Sequence, residues 1–566
     1  MWRHTFLRHR LKLLLIAVLL VIVLQLVYYR PKIIEPYLDM AMPAPKEDPE
    51  KAKIRNLSVF FDDLEKYAID APSLKGNYKT EKAFEKFASN DDFMFNKEYL
   101  ENVLEISDET QAKMTDSHTR YVNDRINQLL ENYGVSTFGA NLPSDADWSQ
   151  YHGSKGYVLV GGGKYSWLSY LVIRQLRASG SELPAELFIP SSTEYEADFC
   201  EKVLPKYNAR CNVFNDTLGY DLKRRFNLGG FQFKMLALLT SKFEQILYLD
   251  SDDFPVRNPD YLFEGTKFKE TGLVIWPDAW ARTTNPKFFE IAGKPVKERK
   301  VRWSKFDDKE AERQGTQLKP LEEYKFSESR FHDFEGALPD PTSETGQLLV
   351  DKTRQLKTLL LALYYNVFGP NFYYPIMTQG SAGEGDKETF IAAAHVLGEP
   401  YYQTEKGMAW LGYNREDKDG QFDSKALGHW DPDDSAKDDK DDAKLLFMHL
   451  SYPKYYPDWL VNNHELVSKK SGKDVRMYPS TYEKIGYDFD LRALQLFTMG
   501  ACSNYYGDDG KPVDATEGID SSEFMGPHLA YIAGMERLPQ WCEKVFIPHL
   551  KWLKSTTEYP DTSVVV

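Results

Sequence analysis

The sequence predicts an α/β fold in which helices cover both faces of a mainly parallel sheet. The predicted strands lie at 157–160, 185–189, 212–214 and 246–249, and the predicted helices lie between them at 165–178, 194–204 and 231–243. The first and last of these strands are apolar throughout, which is typical of strands buried on both faces of a parallel sheet. Strands that alternate with helices are joined by right-handed crossovers and run parallel.

Three carboxylates, Asp250, Asp252 and Asp253, follow the strand predicted at 246–249. The carboxyl ends of strands are where α/β sheets bind ligands. A divalent cation would offset the repulsion among these carboxylates, and hard oxygen ligands at this spacing suit Mg²⁺ or Mn²⁺. An Asp-rich turn is the alternative interpretation, since Asp, Ser and Pro are common turn residues. The pattern resembles the DxD motif of glycosyltransferases with the GT-A fold, in which the metal bridges the diphosphate of a sugar nucleotide.

Two further features could bind a phosphate-containing ligand. Gly161, Gly162 and Gly163 end the first predicted strand, where a backbone without Cβ atoms can approach a ligand closely. They do not form a G-x-G-x-x-G motif, so a dinucleotide fold is not predicted. Lys234, on the helix before the Asp250 strand, could reach a phosphate or an acceptor. A tight turn and a surface lysine are the respective alternatives.

Two polar turns supply candidates for contact with the sugar. Glu344, Gly346 and Gln347 precede an apolar strand. Gly346 would let a sugar lie against the backbone, and Glu344 and Gln347 could bind it or shield positive charge that develops at the anomeric carbon. An edge strand with a polar start is the alternative. Asp386 follows a glycine-rich loop and begins a predicted helix, so it is a candidate N-cap and a candidate substrate-binding residue, two roles that are compatible.

A late histidine completes the candidate metal site. The apolar strand predicted at 445–448 ends in His449, and Lys454 follows five residues later. An imidazole and two carboxylates form an acceptable Mn²⁺ site, so His449 is the predicted third ligand beside Asp250 and Asp252. Lys454 could neutralise a departing diphosphate. A histidine that merely packs at a strand end is the alternative.

The N-terminus has the pattern of an uncleaved membrane anchor. Residues 1–12 carry basic residues and no acidic residue, and 13–29 is free of charge. A helix of about 17 residues spans roughly 25 Å, the short end of the membrane range. Positive charge before the helix keeps the N-terminus cytosolic and places the rest in the lumen. A cleaved signal peptide is the alternative, but Tyr28-Tyr29-Arg30-Pro31 follows instead of a small-x-small cleavage site.

Composition and spacing divide the chain further. A net charge of −15 argues against a nucleic-acid partner. The predicted regions are a cytosolic tail at 1–12, a transmembrane anchor at 13–29, a stem with an N-terminal helical region at 30–131, a catalytic domain at 132–480 and a C-terminal extension packed on it at 481–566.

The cysteines and two sequons agree with a lumenal location. In an oxidising lumen the four cysteines would form disulfides, which allows three connectivities. We predict the pairs that are close in sequence, Cys200–Cys211 and Cys502–Cys542. Buried free thiols are the alternative. Two triplets match the N-glycosylation sequon, at Asn56 and Asn215.

Several segments together resemble one known family, the fungal Golgi α-mannosyltransferases that build the outer-chain branches of cell-wall mannan. The α-1,2-linking, branch-initiating members are the most similar. The resemblance covers roughly 157–459 and the N-terminal anchor. It rests on the segments at 159–163, 230–234, 248–259, 276–280, 344–347 and 385–390.

The resemblance implies a GT-A-like, Rossmann-type mixed sheet and a metal-dependent, retaining transfer of mannose from GDP-mannose to mannan or N-glycan outer chains. By similarity, Asp250 and Asp252 hold Mn²⁺ or Mg²⁺. His449 matches the late histidine ligand loosely, since related patterns often place the lysine six residues on. The roles implied for the others are catalytic for Glu344 and Asp386, and donor-binding for Gly161, Gly162, Gly163, Lys234, Gln347 and Lys454.

The family also implies a location and leaves alternatives open. The expected location is the Golgi membrane, as a single-pass type II protein with a lumenal catalytic domain, in a complex with other Golgi transferases. Two mechanisms retain the configuration at the anomeric carbon, namely double displacement and attack by the acceptor from the face of the leaving group. The residues are consistent with both. A related transferase of another linkage, such as α-1,3, remains an alternative. So does a glycan-binding pseudo-transferase, although the intact aspartates disfavour it.

Overall fold

The computed structural model describes residues 61–83, 93–132, 153–214, 225–437, 439–502 and 523–559. The predicted tail and anchor, and the sequons at Asn56 and Asn215, lie outside these residues. Within the described ranges, no helix has both the length and the apolarity needed to cross a membrane. Residues 56–566 group into a single unit, and the boundaries predicted at 131 and 480 stay predictions.

The central sheet has seven strands in the order β3-β2-β1-β4-β7-β6-β8. Strands β3, β2, β1 and β4 run parallel, and β7 is antiparallel to both of its neighbours, β4 and β6. The prediction of a mixed sheet is therefore confirmed. The strands are β1 Lys155–Val160, β2 Ala185–Ile189, β3 Ala209–Val213, β4 Gln245–Leu249, β6 Leu273–Pro277, β7 Ser343–Asp351 and β8 Tyr402–Gln403.

Successive residues of these strands enter different cores on the two faces of the sheet. In β4, Leu247 and Leu249 join one apolar cluster, and Ile246 and Tyr248 join the other. This follows from the two-residue period of a strand. The first core is closed by the helix Lys164–Ala178, and the second by the helices Gln232–Thr240, Leu356–Val367 and Lys387–Leu397. Helices on both faces are therefore confirmed.

A second, antiparallel sheet has the order β5-β11-β10-β9. Its strands are β5 Asp253–Pro255, β9 Ala409–Arg415, β10 Gln421–Trp430 and β11 Leu445–His449. The chain leaves β4 at Leu249 and enters β5 at Asp253, so the turn between them joins the two sheets. His449 is paired with Asp253, which brings the end of β11 beside that turn.

One predicted helix is wrong. Residues 194–204 lie in three short segments, the 3₁₀ turns Ser192–Glu194 and Leu204–Tyr207 and the π-helical turn Phe199–Val203, instead of one α-helix. The backbone of Tyr195 is extended, which ends the first turn before the next begins. Further α-helices are Lys97–Glu101, Asp108–Arg120, Asn127–Asn132, Thr266–Thr271, Pro286–Ile291, Lys305–Gln314, Tyr374–Thr378, Pro432–Ser435, Pro457–Asn462, Tyr482–Ile485, Phe489–Cys502, Ala530–Ala533, Leu538–Trp541 and Ile547–Thr556.

Both predicted disulfides are confirmed. Cys200 is bonded to Cys211, which ties a turn to β3, and Cys502 is bonded to Cys542. The helix Phe489–Cys502 also packs on the helix Lys164–Ala178 of the central sheet, with the rings of Phe497 and Trp167 5.5 Å apart. The last part of the chain therefore shares a core with the α/β sheet.

Acid should destabilise the fold through a buried histidine remote from the sheet junction. The Nε2 atom of His118 lies 2.8 Å from the hydroxyl of Tyr365, and burial lowers the pKa of His118 from 6.5 to about 4. The unfolded chain therefore binds the extra proton between these pH values. We expect the contribution of His118 to the free energy of unfolding to be fully present above pH 6.5 and to be lost as the pH falls towards 4. The loss should reach about 3 kcal/mol.

His118→Gln is the matched variant, because its amide does not titrate. Denaturant unfolding between pH 7 and pH 4 should show a shallower pH dependence for this variant than for the native chain. Parallel pH dependences would contradict a buried, neutral His118.

Candidate active site

The turn between β4 and β5 is held from both sides by the backbone. The N–H of Asp250 donates to the carbonyl of Gly346 on β7, at 2.6 Å. The N–H of Leu450, after β11, donates to the carbonyl of Asp252, at 2.8 Å. The turn is thus fixed between the two sheets, at the carboxyl end of β4. This is the sheet edge at which α/β proteins bind ligands.

The three predicted metal ligands lie together at this turn. One ligand atom each from Asp250, Asp252 and His449 lies within 4.8 Å of the others. The Nε2 atom of His449 is 3.4 Å from Oδ1 of Asp252. Two carboxylates and one imidazole suit Mn²⁺, whereas Mg²⁺ prefers oxygen ligands alone. The residues present therefore fit a manganese ion.

The third carboxylate of the turn is outside this cluster. The side chain of Asp253 is fully buried, and neither of its oxygens has a hydrogen-bond partner within the described residues. Burial raises the pKa of Asp253 well above its usual range, and the nearby Glu344 and Asp250 add to the shift. The charge of His449 opposes this shift, and burial is the larger effect.

Asp252 is ionised despite its burial. Burial alone would raise the pKa of Asp252, but the charges of His449 and Lys454 outweigh it and lower that pKa below its usual range. The ammonium of Lys454 forms an ion pair with Oδ2 of Asp252. The side chain of Lys454 is 31% exposed, so it can also reach a ligand in the site mouth.

Glu344 contacts the opposite side of the His449 ring. Its Oε1 atom lies 3.6 Å from Nδ1 of His449 and accepts a 2.6 Å hydrogen bond from the N–H of Gly346. Burial would lower the pKa of His449, but Asp252 and Glu344 raise it well above its usual range. A carboxylate on the second nitrogen orients a metal-binding histidine. Glu344 thus has a positioning contact that sequence reasoning did not foresee.

The structure shows a packing reason for the glycine at 346, and its predicted contact with a sugar stays a prediction. A Cβ atom at this position would lie 2.8 Å from Nδ1 of His449. The glycine therefore makes room for the histidine ring.

Lys234 is buried among the carboxylates, so its interpretation as a surface lysine is wrong. Its Nζ atom donates to the carbonyl of Thr345 at 2.6 Å, and lies 3.1 Å from Oδ2 of Asp386 and 3.5 Å from Oδ2 of Asp250. Burial would lower the pKa of Lys234, but these carboxylates raise it above its usual range. The charged lysine offsets their repulsion.

Asp386 occupies the N-cap position of the helix Lys387–Leu397, but its side chain makes no capping hydrogen bond. The side chain is directed to Lys234 instead. Burial raises the pKa of Asp386 to about 6, although Lys234 opposes the shift. Of the two interpretations, the side-chain cap is therefore wrong.

The remaining predicted residues lie on the same sheet edge. Gln347 is fully buried beside Leu249, and within the described residues neither of its amide atoms has a partner. Gly161, Gly162 and Gly163 follow β1, which neighbours β4, and the last two have positive φ angles of 99° and 54°. Their conformation fits a tight turn, and their contact with a donor stays a prediction.

Sequence reasoning missed one polar side chain of the site and a second one that lies behind it. The hydroxyl of Tyr248 donates to Oδ1 of Asp250 at 2.7 Å. Because strands have a period of two, a tyrosine two residues before the aspartate could have been noticed. His429, on β10, lies fully buried near Glu344 and His449. Only the pairing of β10 with β11 brings it there, so no local signal existed.

Comparison with known proteins decides the family. Residues 154–431 match the Mannosyl_trans3 family of mannosyltransferases. Alpha-1,2-mannosyltransferase MNN2 of Candida albicans is 57% identical over 519 residues, which cover 91% of this chain and 86% of that protein. The chain belongs to the fungal α-1,2-mannosyltransferase family. The predicted resemblance is confirmed.

Two further matches have lower sequence identity. Alpha-1,2-mannosyltransferase MNN2 of Saccharomyces cerevisiae is 34% identical over 478 residues, which cover 76% of each chain. Among solved structures, the glycosyltransferase GlyE of Streptococcus pneumoniae matches with a TM-score of 0.26 and 10% identity, over 44% of this chain and 45% of that one. As a member of this family, the chain is a mannosyltransferase.

Proposed function

We propose that the chain transfers mannose from GDP-mannose to mannan or N-glycan outer chains, forming an α-1,2 linkage with retention, and that it needs Mn²⁺. The cluster of Asp250, Asp252 and His449 carries this proposal. It supplies a ligand set for manganese at the edge of the sheet where a nucleotide-sugar would lie. When bound, the ion supplies Lewis-acid stabilisation of the leaving diphosphate.

The two lysines have different roles in this proposal. Lys454 is partly exposed and already paired with Asp252, so it can turn towards a diphosphate and supply countercharge. Lys234 is buried, and hydrogen bonds to the carbonyl and hydroxyl of Thr345 fix it. It keeps Asp250 and Asp386 in place rather than following the leaving group.

The geometry favours same-face attack by the acceptor over a double displacement through Glu344. Oε1 of Glu344 is engaged by the N–H of Gly346 and lies against His449. The amide of Gln347 is the other candidate, because its carbonyl oxygen can stabilise positive charge at the anomeric carbon without forming a stable bond, but this side chain is fully buried and would have to become accessible to the sugar. A role for Asp386 is then limited to holding Lys234.

The proposed location is the Golgi membrane, as a single-pass type II protein with its catalytic domain in the lumen, where other Golgi transferases would be its partners. Two observations support it. The sequence has an apolar segment at 13–29 after a basic segment. The disulfides Cys200–Cys211 and Cys502–Cys542 are of the kind that persists in oxidising compartments.

A donor screen tests the proposed reaction. The full chain in detergent is incubated with Mn²⁺, mannobiose and one nucleotide-sugar at a time, and the product linkage is read by NMR. We expect transfer from GDP-mannose and an α-1,2 product, with GDP-glucose as the matched donor control. An α-1,3 product would assign another linkage. The absence of transfer from every donor would favour a glycan-binding pseudo-transferase.

A further inference from the structure

A second cluster of metal-ligating side chains lies next to the first. Ligand atoms of Glu344, His429 and His449 all lie within 4.8 Å of one another. Three different strands supply them, namely β7, β10 and β11. His449 is common to both clusters, and its ring nitrogens face opposite ways. Nε2 is 3.4 Å from Asp252, and Nδ1 is 3.6 Å from Glu344.

His429 is the unusual member of this cluster. Its side chain is 0% exposed, and neither ring nitrogen has a hydrogen-bond partner within the described ranges. Buried polar groups are nearly always paired, so an imidazole with two unpaired nitrogens needs an explanation. A neutral imidazole is also the commonest protein ligand for metals. A cation held between His429, Glu344 and His449 would bind one of the two unpaired ring nitrogens of His429.

The donor set differs from that of the Asp250–Asp252–His449 cluster. Two imidazole nitrogens and one carboxylate oxygen, with the fourth position open, are the ligands of many Zn²⁺ sites. Tetrahedral zinc with bonds of about 2.0–2.1 Å brings its ligand atoms to roughly 3.3 Å from one another, so the cluster would contract modestly. The oxygen-rich first cluster suits a harder ion. The two neighbouring clusters thus differ in their ligand atoms and share the imidazole ring of His449.

The cluster borders the mouth of the proposed donor site. The side chains of Glu344 and His449 are each 12% exposed, whereas Nδ1 of His449 and both ring nitrogens of His429 are buried, so an ion would enter from the side of Glu344.

We propose that Glu344, His429 and His449 form a Zn²⁺ site, and that Zn²⁺ bound there inhibits mannosyl transfer. The inhibition rests on the proposed function, whereas the zinc site itself does not. Zn²⁺ at Nδ1 would take Glu344 away from its contact with His449 and draw the ring towards β10. It would also place two positive charges next to the Asp250–Asp252 cluster. Both effects weaken the hold of His449 on a metal at Nε2.

Zinc binding is measured first without any turnover. Equilibrium dialysis of the full chain in detergent, with excess Mn²⁺ present, should give one tightly bound Zn²⁺. His429→Gln should weaken that binding at least tenfold, and Asp250→Asn should leave it unchanged. Equal zinc affinity of the native chain and His429→Gln would overturn the site. Because this measurement needs no activity, it stands even if the proposed transferase reaction fails.

The ligands can be checked in the native chain, so the result does not depend on whether a variant folds. X-ray absorption at the zinc edge should show two imidazole nitrogens and one carboxylate oxygen. A shell with fewer than two imidazoles would overturn the assignment.

Inhibition is then measured at saturating Mn²⁺. Zn²⁺ should inhibit the native chain, and His429→Gln should keep Mn²⁺-dependent turnover while needing at least tenfold more Zn²⁺ for the same inhibition. Equal sensitivity of the two chains would show that zinc inhibits elsewhere. Loss of turnover in a folded His429→Gln chain would instead make His429 part of the transfer site and contradict a purely inhibitory role.

Discussion

Replacing Asp252 with asparagine should reduce mannosyl transfer by about 10³-fold while the chain stays folded. Asp252 is the carboxylate that His449 and Lys454 both contact. Losing it removes a charged metal ligand and therefore several kcal/mol of stabilisation of the leaving diphosphate. The fold should survive, because Lys454 is partly exposed and water can solvate its freed charge. Initial rates at saturating GDP-mannose and Mn²⁺ measure the loss, and a melting curve checks the fold.

Asp308→Asn is the matched control for this prediction. Asp308 lies exposed on the helix Lys305–Gln314. The same change of charge there should leave the rate of transfer unaltered. If Asp252→Asn retained a rate within a few-fold of the native chain, Asp252 would not hold a catalytic metal.

Replacing Lys234 with methionine should lower the free energy of unfolding by about 3–5 kcal/mol. The variant keeps the length of the side chain but leaves Asp386 buried without its countercharge, and breaking a buried ion pair carries a cost of this size. Asp250, 3.5 Å from the same ammonium, also loses it. Denaturant unfolding at pH 7 measures the change.

The double variant Lys234→Met with Asp386→Asn separates this cause from simple loss of packing. Removing the acid together with its partner should restore part of the lost stability, because the unpaired buried charge is gone. A Lys234→Met chain as stable as the native one would contradict the burial and pairing of this lysine. A double variant no more stable than Lys234→Met would assign the loss to packing.

Local patterns were sufficient for the parallel strands β1 to β4 of the central sheet, whereas β6 and β8 were not predicted. The segments 185–189 and 246–249 are short, apolar and bounded by breaks in the pattern, and they form strands β2 and β4. The helix predicted at 194–204 was wrong because the backbone is extended at Tyr195, and the segments on either side of it form separate short turns.

The candidate site was predictable where each residue had its own local signal. Asp250 and Asp252 follow the apolar strand β4, His449 ends the apolar strand β11, and the structure brings the three together. The contacts of Glu344 and His429 with His449 depend on how the strands β7, β10 and β11 are placed relative to one another. These strands are distant in sequence, so no local pattern could predict the contacts. Lys234 stood among apolar residues of a helix, and nothing local indicated that it faced three polar partners instead of solvent.

Binding of GDP to the full chain, measured by calorimetry with Mn²⁺ and again with EDTA, tests most directly whether the turn after β4 is a metal–diphosphate site. With Mn²⁺, the native chain should bind GDP at least tenfold more tightly than in EDTA. Asp252→Asn should lose that metal-dependent gain, since the ion would lack one of its carboxylates. Equal affinity for GDP with Mn²⁺ and with EDTA in the native chain would contradict the proposal that Asp250, Asp252 and His449 hold the donor through a metal.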